Sequence, residues 1–418
     1  MRFQTFSDSK NINYEKIYLY LFIVFAFTLP NSRAAISFFT IILPLIWLFE
    51  GDFKRKFEQI KENKVIISLF LFTLLIYLSL FWTEAGVFKD GFGFASKGFR
   101  IILIFMIITI TSLKIEHISK VITAFLMGML VSEVLSYGIF FELWILPFGS
   151  GTPSDPTPFM HHLDYSTFLA FTSLLLLNSF FYVEDFKLKI FYFVYFLFVT
   201  SNLFLNGGRT GQFAFLVTIL IVGFLNIKNK LKALLTMLVI LASILIASYN
   251  FSPVFKDRFY HAKHEIMKIL EDNPEKYTGS FGHRVGFWIV GFDVVKDKTI
   301  LGTGAGSEEQ NFKKYLQNHP ILIKSLVITS GEYHNQFIQI VVRLGIIGLM
   351  LYLSIWYFIG KLKIYDKNLS NLRYIFMSVF ITASLFENIF ENQFTMAMFA
   401  MFVSIFIIFS KQNKMKKE

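Results

Sequence analysis

Long apolar runs alternate with short polar connections along almost the whole chain. Many of the runs have roughly 15–25 residues, enough for a helix to cross a hydrocarbon core about 30 Å thick. The runs are continuous rather than alternating, which argues against a barrel of transmembrane strands. The pattern predicts an all-α polytopic membrane protein with about 12 transmembrane helices. They are placed near residues 17–30, 34–49, 65–82, 99–112, 118–146, 163–183, 189–205, 210–226, 231–249, 335–359, 371–387 and 393–410.

The connections between spans fall into two alternating sets, one on each side of the membrane, and these sets differ in their content of lysine and arginine. If the N-terminus is cytoplasmic, one set contains most of the short-loop cations, from Lys54 to the basic tail after span twelve. The short loops of the other set hold only Arg33, Lys89, Lys97, Arg100 and Arg209. Because cytoplasmic loops carry the excess of Lys and Arg, we expect both termini in the cytoplasm and the long polar segment on the opposite side.

The hydropathy pattern divides the chain into three parts. Residues 1–249 are expected to form an N-terminal transmembrane bundle of about nine spans, and residues 335–418 about three more spans with a basic cytoplasmic tail. Residues 250–334 between them form a large loop with amphipathic helices. The stretch from Gly279 to Gly348, which crosses this boundary, is the most polar long stretch in the chain.

Composition excludes a soluble domain and several kinds of chemistry. Hydrophobic residues make up 55% and charged residues 17% of the 418 residues, and the mean hydropathy is +0.56. The net charge of +11 lies largely in short loops, which indicates membrane topology rather than a nucleic-acid surface. Cysteine is absent, so a disulfide or a thiol nucleophile is excluded. The chain has no Walker motif, so we expect no bound nucleotide and no cofactor, with any energy supplied by an activated substrate or a gradient.

Arg209 follows two glycines in a tight turn between two spans, SNLFLNGGRTGQ. Glycines let the backbone approach a ligand closely, and a planar guanidinium matches phosphate oxygens. The turn therefore indicates a phosphate-binding arginine. The alternative is an arginine that only anchors its span at the lipid headgroups.

Arg284 opens the stretch HRVGFWIVGFDVVKD, where apolar residues recur at helical spacing. The predicted apolar face consists of Val285, Trp288, Ile289, Phe292 and Val295. An arginine at the N-terminus of such a helix is well placed for the anionic group of a lipid. The alternative is a surface arginine on an ordinary interfacial helix.

His334 lies at the edge of span ten and is the sharpest candidate for chemistry. A histidine titrates near neutral pH, as a general base must, although an interfacial histidine bonded to a loop gives the same pattern. Asn335, Gln339 and Arg343 follow it, and the charge of Arg343 inside the hydrocarbon region costs at least about 2.5–3.5 kcal/mol. We therefore expect Arg343 to face the bundle interior, with candidate partners Glu387, Glu391, Glu133 and Glu142.

Three other motifs receive structural interpretations. The glycines of LGTGAGSEEQ are expected to form a turn, with Ser307 as N-cap and Gln310 completing a capping box, because Glu308 and Glu309 would repel phosphate. His161, His162 and Asp164 are read as a solvated loop, with an acceptor path or a cation site as the alternative. His261 and His264 share a helix face but lack a third ligand, so no metal is expected.

These motifs together resemble the O-antigen ligases and their relatives, which are polytopic bacterial membrane glycosyltransferases. The resemblance is carried by GGRTG between two spans, then HRVGFW and LGTGAG in the long segment, HNQFIQIVVRLGIIGL opening the next span and a late SLFENIFENQ. These motifs cover roughly residues 195–400. The resemblance implies a lipid-donor (GT-C-like) architecture in the bacterial inner membrane, with the long segment in the periplasm.

The resemblance also implies an activity and a site. A glycan would pass from undecaprenyl pyrophosphate to lipid A–core without a metal and with inversion, and the partners would be the donor, the acceptor and membrane lipids. The family's two arginines map onto Arg209 and Arg284 and its histidine onto His334. Two further arginines, Arg33 and Arg100, are weaker candidates for phosphate binding, and Asn335, Gln339 and Arg343 for support.

Other activities remain open at this point. An O-antigen polymerase or a protein O-oligosaccharyltransferase would share these motifs, and a flippase of lipid-linked sugars belongs to a different class. A transporter would place charges along several spans at mid-membrane depth, whereas here they concentrate at one side. The glycan and the identity of the acceptor sugar do not follow from the sequence.

Overall fold

The computed structural model describes residues 13–147, 149, 151–271, 273, 275–326 and 332–415. Within these residues the protein consists of α-helices and short 3₁₀ turns, and its only β-type pairing is one bridge between Thr152 and Asp155. The α-helices are α1 (Tyr14–Thr28), α2 (Arg33–Glu50), α3 (Phe53–Ile60), α4 (Lys64–Leu78), α5 (Phe88–Ala95), α6 (Phe99–Ser112), α7 (Ile118–Phe140), α8 (His162–Phe180), α9 (Phe186–Leu205), α10 (Arg209–Asn226), α11 (Lys230–Phe251), α12 (Pro253–Leu270), α13 (Gly279–Asp297), α14 (Glu308–Leu316), α15 (Pro320–Ser325), α16 (Gln336–Gly360), α17 (Lys367–Ser384) and α18 (Gln393–Met415).

The predicted membrane character is confirmed. Each of the twelve segments expected to span a membrane coincides with an α-helix. In the described part of the chain, 9 helical stretches are long and apolar enough to cross a membrane. The three predicted spans outside this set are α1, α8 and α17. The protein is therefore an all-helical, multi-pass membrane protein.

Helix α8 occupies the centre of the bundle, where it packs against α9, α10 and α17. All of its residues from Asp164 to Asn178 are buried, and several are polar, which explains its modest hydropathy. Two of its polar side chains bond to neighbouring helices: Ser173 hydrogen-bonds Thr200 on α9 over 2.6 Å, and Asn178 accepts from Asn226 on α10 over 3.0 Å. Because buried polar groups need partners, these bonds fix the register of α8 within the bundle.

A second, smaller core lies beside the bundle, between α13, α14 and the start of α16. Its buried residues are Val290, Val294, Phe312, Tyr315, Leu316, Leu322, Leu326, Tyr333, Ile338 and Val342. The predicted apolar face of α13 is only partly correct. Phe292 is 56% exposed, whereas Gly282, Gly286, Val290 and Val294 form the buried side, because glycines let α13 approach its neighbours closely.

Helix α16 is broken at Gly345, which has a φ of 65°. The turn after α13 binds the backbone freed by this break. The amides of Thr303 and Gly304 donate to the carbonyls of Val342 and Arg343 over 2.8 and 3.0 Å. In return the amide of Ile346 donates to the Thr299 carbonyl over 2.8 Å. The LGTGAG turn thus has a structural role, because its backbone supplies hydrogen-bond partners to the groups left free by the break in α16.

The capping box predicted for the same turn is wrong. Ser307 precedes α14, but its side chain makes no capping hydrogen bond. Its hydroxyl instead accepts from the amide of Glu84 over 3.0 Å. The preceding Ala305 donates from its amide to the Ser79 hydroxyl over 3.1 Å. A tertiary contact with the 79–87 connection has therefore replaced the local cap.

Replacing Gly304 by Ala should destabilise the protein while leaving the chemistry of folded molecules unchanged. Gly304 has a φ of +84°, and an added Cβ would lie 2.6 Å from the Thr83 hydroxyl and 2.9 Å from the Ser79 carbonyl. Strain of this kind costs on the order of 1–3 kcal/mol. A denaturant titration measures the loss. Gly86→Ala is the control, since its nearest neighbour lies 3.7 Å away, and equal stability of the two variants would contradict the structural role.

Candidate functional site

The polar residues at the start of α16 hold the 385–392 loop, which joins α17 to α18. Asn335 donates from its side-chain amide to the Leu385 carbonyl over 3.0 Å. One position along, the side-chain oxygen of Gln336 accepts from the Phe390 amide over 3.1 Å. Gln339 accepts from the Asn388 side chain over 3.3 Å and from the Tyr333 amide over 3.0 Å. These side chains fix the loop against the helix, and the supporting role of Asn335 and Gln339 in a reaction stays a prediction.

Glu387 of the 385–392 loop lies between the two residues predicted to carry chemistry. Its Oε1 is 3.2 Å from Nδ1 of His334, and its Oε2 is 3.6 Å from Nη2 of Arg284. Arg284 also donates from Nε to the Phe386 carbonyl over 3.1 Å. Only 5% of Glu387 is exposed. One buried carboxylate therefore orients both the imidazole and the guanidinium.

In this group, burial and the interactions between charges have opposing effects on the pKa values. Burial alone would raise the pKa of Glu387, but the hydrogen bond from His334 and the charges of His334 and Arg284 outweigh it and lower that pKa. Burial lowers the pKa of Arg284. The charge of Glu387 acts to raise that pKa, and the charge of Arg209 acts to lower it. A guanidinium stays protonated in proteins. At neutral pH the site therefore holds a carboxylate flanked by fixed positive charge.

His334 has an unusual backbone conformation, with a φ of 45°. Few residues other than glycine adopt positive φ, and such outliers cluster at functional sites. The next residue, Asn335, caps α16 by accepting from the amides of Phe337 and Ile338 over 2.9 and 3.1 Å. The imidazole packs on Phe287 of α13 with a ring separation of 5.3 Å. These contacts fix the ring with Nδ1 on Glu387.

Arg209 begins α10 and lies close to the same group. Its charge acts on Arg284 and Arg258, and one helical turn further Phe213 packs on Phe386 at 5.1 Å. Among the described residues Arg209 has no ion-pair partner. Its guanidinium is therefore available to an anion near Arg284. The structure thus brings Arg209, Arg284 and His334 to one region, although their roles remain predictions.

The turn before Arg209 is clamped by residues that the sequence pattern did not single out. The amide of Gly207 donates to Oδ1 of Asp155 over 2.6 Å, and Oδ2 of Asp155 lies 2.9 Å from Nδ1 of His162. Arg258 donates to the Gly207 carbonyl. Burial would raise the pKa of Asp155, but the bonds from His162 and Gly207 outweigh it and lower that pKa. Asp155 is therefore charged at neutral pH.

The solvated-loop interpretation of the histidine pair next to this clamp holds for His161, which is exposed. It is wrong for His162, which begins α8 and is bonded to Asp155. The ring centroids of His161 and His162 lie 4.0 Å apart, and the ring planes are tilted by 36°. Burial lowers the pKa of His161, and Glu387 is one of the charges that act on it. Asp164 on α8 is buried.

Replacing Asp155 by Asn should weaken the binding of an anionic ligand through Arg209. A charge-assisted hydrogen bond contributes about 1.5–3 kcal/mol, and about 1.4 kcal/mol corresponds to a factor of ten. We expect the KM for the anionic substrate to rise about 10- to 100-fold, with a smaller change in kcat. Asp257→Asn is the matched control, because Asp257 is exposed and lies 3.4 Å from His261, outside the Asp155–Gly207 contact. An unchanged KM in Asp155→Asn would show that the clamp does not position Arg209.

A possible metal group was not anticipated from the sequence. Glu332, His334 and Glu387 each offer a ligand atom, and these atoms lie within 4.8 Å of one another. Burial and the charge of Glu391 raise the pKa of Glu332. The Arg284 guanidinium, 3.6 Å from the Glu387 carboxylate, competes with any cation at this position. The predicted His261 and His264 pair lies on α12 and is separate from this group.

Arg343 lies inside α16 and is fully paired, as predicted. It forms ion pairs with Glu308 and, over 3.0 Å, with Glu391. Its guanidinium stacks on Phe94 at 3.6 Å. Of the expected partners, Glu391 is confirmed. Glu387 faces His334 instead, Glu133 is buried on α7 without a hydrogen bond, and Glu142 is exposed.

Arg33 and Arg100, the weaker phosphate candidates, form no ion pair with Glu387 in the described residues. Arg33 begins α2 and donates from Nε to Gln393 over 3.1 Å. It lines a cavity between α2, α5, α6 and α18. Arg100 is exposed near the start of α6, and in the described residues it has no side-chain partner. The structure therefore associates Arg33, but not Arg100, with a cavity.

Comparison with known proteins agrees with the motif pattern. Residues 194–353 match the family model described as O-antigen ligase. A protein of Haemophilus influenzae, itself uncharacterised, is 24% identical over 321 residues, which is 75% of this chain and 77% of the relative. The matched segment contains Arg209, Arg284 and His334, and Glu387 lies C-terminal to it. The resemblance predicted from the motifs is thus confirmed for residues 194–353, which match the O-antigen ligase family model.

Proposed function

We propose that the protein is an O-antigen ligase-type glycosyltransferase. It transfers a glycan from undecaprenyl pyrophosphate to lipid A–core on the periplasmic face of the inner membrane, with inversion and without a metal. The observation that supports this most strongly is the Glu387 carboxylate shared by His334 and Arg284, beside Arg209 and next to an apolar bundle. In this proposal the chain has about twelve spans in a GT-C-like arrangement, both termini lie in the cytoplasm, and the group faces the periplasm.

In the proposed reaction, Arg209 and Arg284 bind the donor pyrophosphate. The bond between the anomeric carbon and the pyrophosphate oxygen breaks while the acceptor hydroxyl oxygen attacks from the opposite side. Negative charge then grows on the leaving pyrophosphate, and two fixed guanidiniums stabilise it without reorganisation. This accounts for inversion and for a reaction that needs no nucleotide.

His334 takes the proton of the acceptor hydroxyl. Nδ1 faces Glu387, so a proton on Nδ1 is donated to that carboxylate and Nε2 is left as the basic atom. The imidazolium formed during attack is stabilised by the Glu387 charge, as in other base–carboxylate pairs. Glu387 is therefore a positioning residue for both the base and Arg284.

The main competing activity is an O-antigen polymerase, which would extend one lipid-linked glycan with another. A protein O-oligosaccharyltransferase would use the same donor site with a different acceptor. A transporter of lipid-linked sugars would need no general base, and the Glu387–His334 contact argues for an enzyme.

The test is an assay of the purified protein in liposomes with a polyprenyl-pyrophosphate-linked glycan. Rough lipopolysaccharide, a second donor molecule or a pilin-like protein is offered as acceptor, with EDTA present in a parallel series. We expect glycan on lipopolysaccharide and equal rates with EDTA. Elongated donor alone would indicate a polymerase, glycosylated protein an oligosaccharyltransferase, and a loss of transfer in EDTA that Mg²⁺ or Mn²⁺ restores would assign a metal to Glu332, His334 and Glu387.

A further inference from the structure

A cavity of about 740 Å³ lies between α2, α5, α6 and α18. Its wall is apolar and is formed largely by Phe25, Ile36, Ile101, Phe105 and Met396. The lining residues run from Arg33 to Thr40 on α2 and from Gln393 to Ala400 on α18. Seven residues of helix rise about 10 Å, so the cavity descends about two turns from its polar end. Its apolar wall and its depth suit the binding of a hydrocarbon chain.

The polar end of the cavity carries unpaired positive charge. Its cations are Arg33, Lys89 and Lys97, and its carboxylates are Asp90 and Glu391. Glu391 is already paired with Arg343 over 3.0 Å, so three cations face one free carboxylate. In the described part of the chain none of the three cations forms an ion pair.

Arg33 is held in place by two side chains at this end. Its Nε donates to Gln393 over 3.1 Å, and Gln393 donates to the Ser37 hydroxyl over 2.9 Å. The terminal guanidinium nitrogens remain free. An oriented guanidinium beside two lysines is suited to a phosphate group.

The cavity adjoins the candidate site across the 385–392 loop. Glu387 of this loop contacts His334 and Arg284, whereas Glu391 lines the cavity. Glu387 and Glu391 are four residues apart in the same loop, so their backbones are separated by at most about 14 Å. A reaction between two lipid-borne substrates needs two lipid sites at once, and Arg209 with Arg284 provides for only one pyrophosphate.

We propose that this cavity binds the acceptor, an acylated and phosphorylated glycolipid, with its phosphate on Arg33, Lys89 and Lys97 and one acyl chain inside. A methylene group is similar in size to water, which occupies about 30 Å³ in the liquid, so the cavity holds on the order of 25 chain carbons. This suits an acyl chain better than a whole undecaprenyl chain. The identification of the lipid as the acceptor rests on the proposed function.

A photo-crosslinking pair on α2 tests the proposal. Benzophenone-alanine replaces Thr40, which lines the cavity, or Ile41, which is 64% exposed on the outside of the same helix. Both variants are placed in nanodiscs with phosphatidylethanolamine, rough lipopolysaccharide and undecaprenyl pyrophosphate. Thermal unfolding checks that each is folded, and mass spectrometry identifies the adducts. No glycan transfer is required, so the outcome is independent of the transfer assay.

We expect the Thr40 adducts to be enriched in lipopolysaccharide by about tenfold over the Ile41 adducts, the factor that one charged contact supplies. Lys97→Glu should remove this enrichment. Adducts of the same composition at both positions would show that the cavity only samples the bilayer. Enrichment in undecaprenyl pyrophosphate at Thr40 would show that it holds the donor. Either result would overturn the assignment to the acceptor.

Discussion

His334→Ala should lower kcat for glycan transfer by about 10²–10⁴-fold, the usual contribution of a positioned general base. The reason lies in the group around Glu387. His334 is the basic side chain just before the start of α16. Its Nδ1 is held 3.2 Å from Glu387, and its ring packs on Phe287. Removing the imidazole leaves the acceptor hydroxyl without a group to take its proton. Donor binding through the arginines should be nearly unchanged.

The measurement is a single-turnover rate in liposomes at saturating donor, together with the donor KM. His261→Ala is the matched control, since His261 is 61% exposed on α12 and pairs there with Asp257. The control should transfer at the wild-type rate. A His334→Ala protein that keeps the wild-type kcat would exclude His334 as the base, and a raised KM with unchanged kcat would make it a binding residue.

Arg343→Met should destabilise the protein by about 3–5 kcal/mol, the cost of removing one partner from a buried ion pair. Only 6% of Arg343 is exposed, and it pairs with Glu308 and Glu391. Methionine would fill the volume but leave two carboxylates facing each other beside the break in α16. The 299–306 turn and the 385–392 loop should both loosen, and transfer should fall with them.

The free energy of unfolding, from denaturant titration in detergent, measures this effect. Lys313→Met is the control, because Lys313 pairs with Glu309 on the exposed side of α14, and such pairs contribute about 0–1 kcal/mol. The double variant Arg343→Met/Glu308→Gln should recover part of the loss. An Arg343→Met protein as stable as the Lys313→Met control would contradict the structural role of the buried pair.

The helices were predictable because continuous apolar runs are a strong signal, and all twelve predicted spans are helical. Arg209, Arg284 and His334 were predictable as candidates because each is polar at the end of an apolar stretch. The pairing of Arg343 with carboxylates was also predictable, because an unpaired charge inside the membrane has a high free-energy cost. These predictions depend on local composition, which the sequence displays directly.

Pairings across the fold were not predictable. Glu387 and Glu391 are four residues apart in the non-helical 385–392 loop, so spacing did not indicate that one faces His334 and the other Arg343. Asp155 reaches Gly207 from a segment 52 residues away, with no periodicity to mark it. The capping box failed for a related reason, because Ser307 bonds Glu84 from a distant connection.

The central claim is that Arg209 and Arg284 bind one pyrophosphate beside His334, and its most direct test is the transfer rate of the arginine variants. Purified Arg209→Ala, Arg284→Ala and Lys296→Ala proteins are compared with wild type in liposomes. Lys296 lies on the same helix as Arg284 and is 74% exposed. Each arginine variant should lose at least about 10²-fold in transfer, as for other groups that stabilise a leaving charge, and Lys296→Ala should match wild type. Wild-type transfer by both arginine variants would contradict the account.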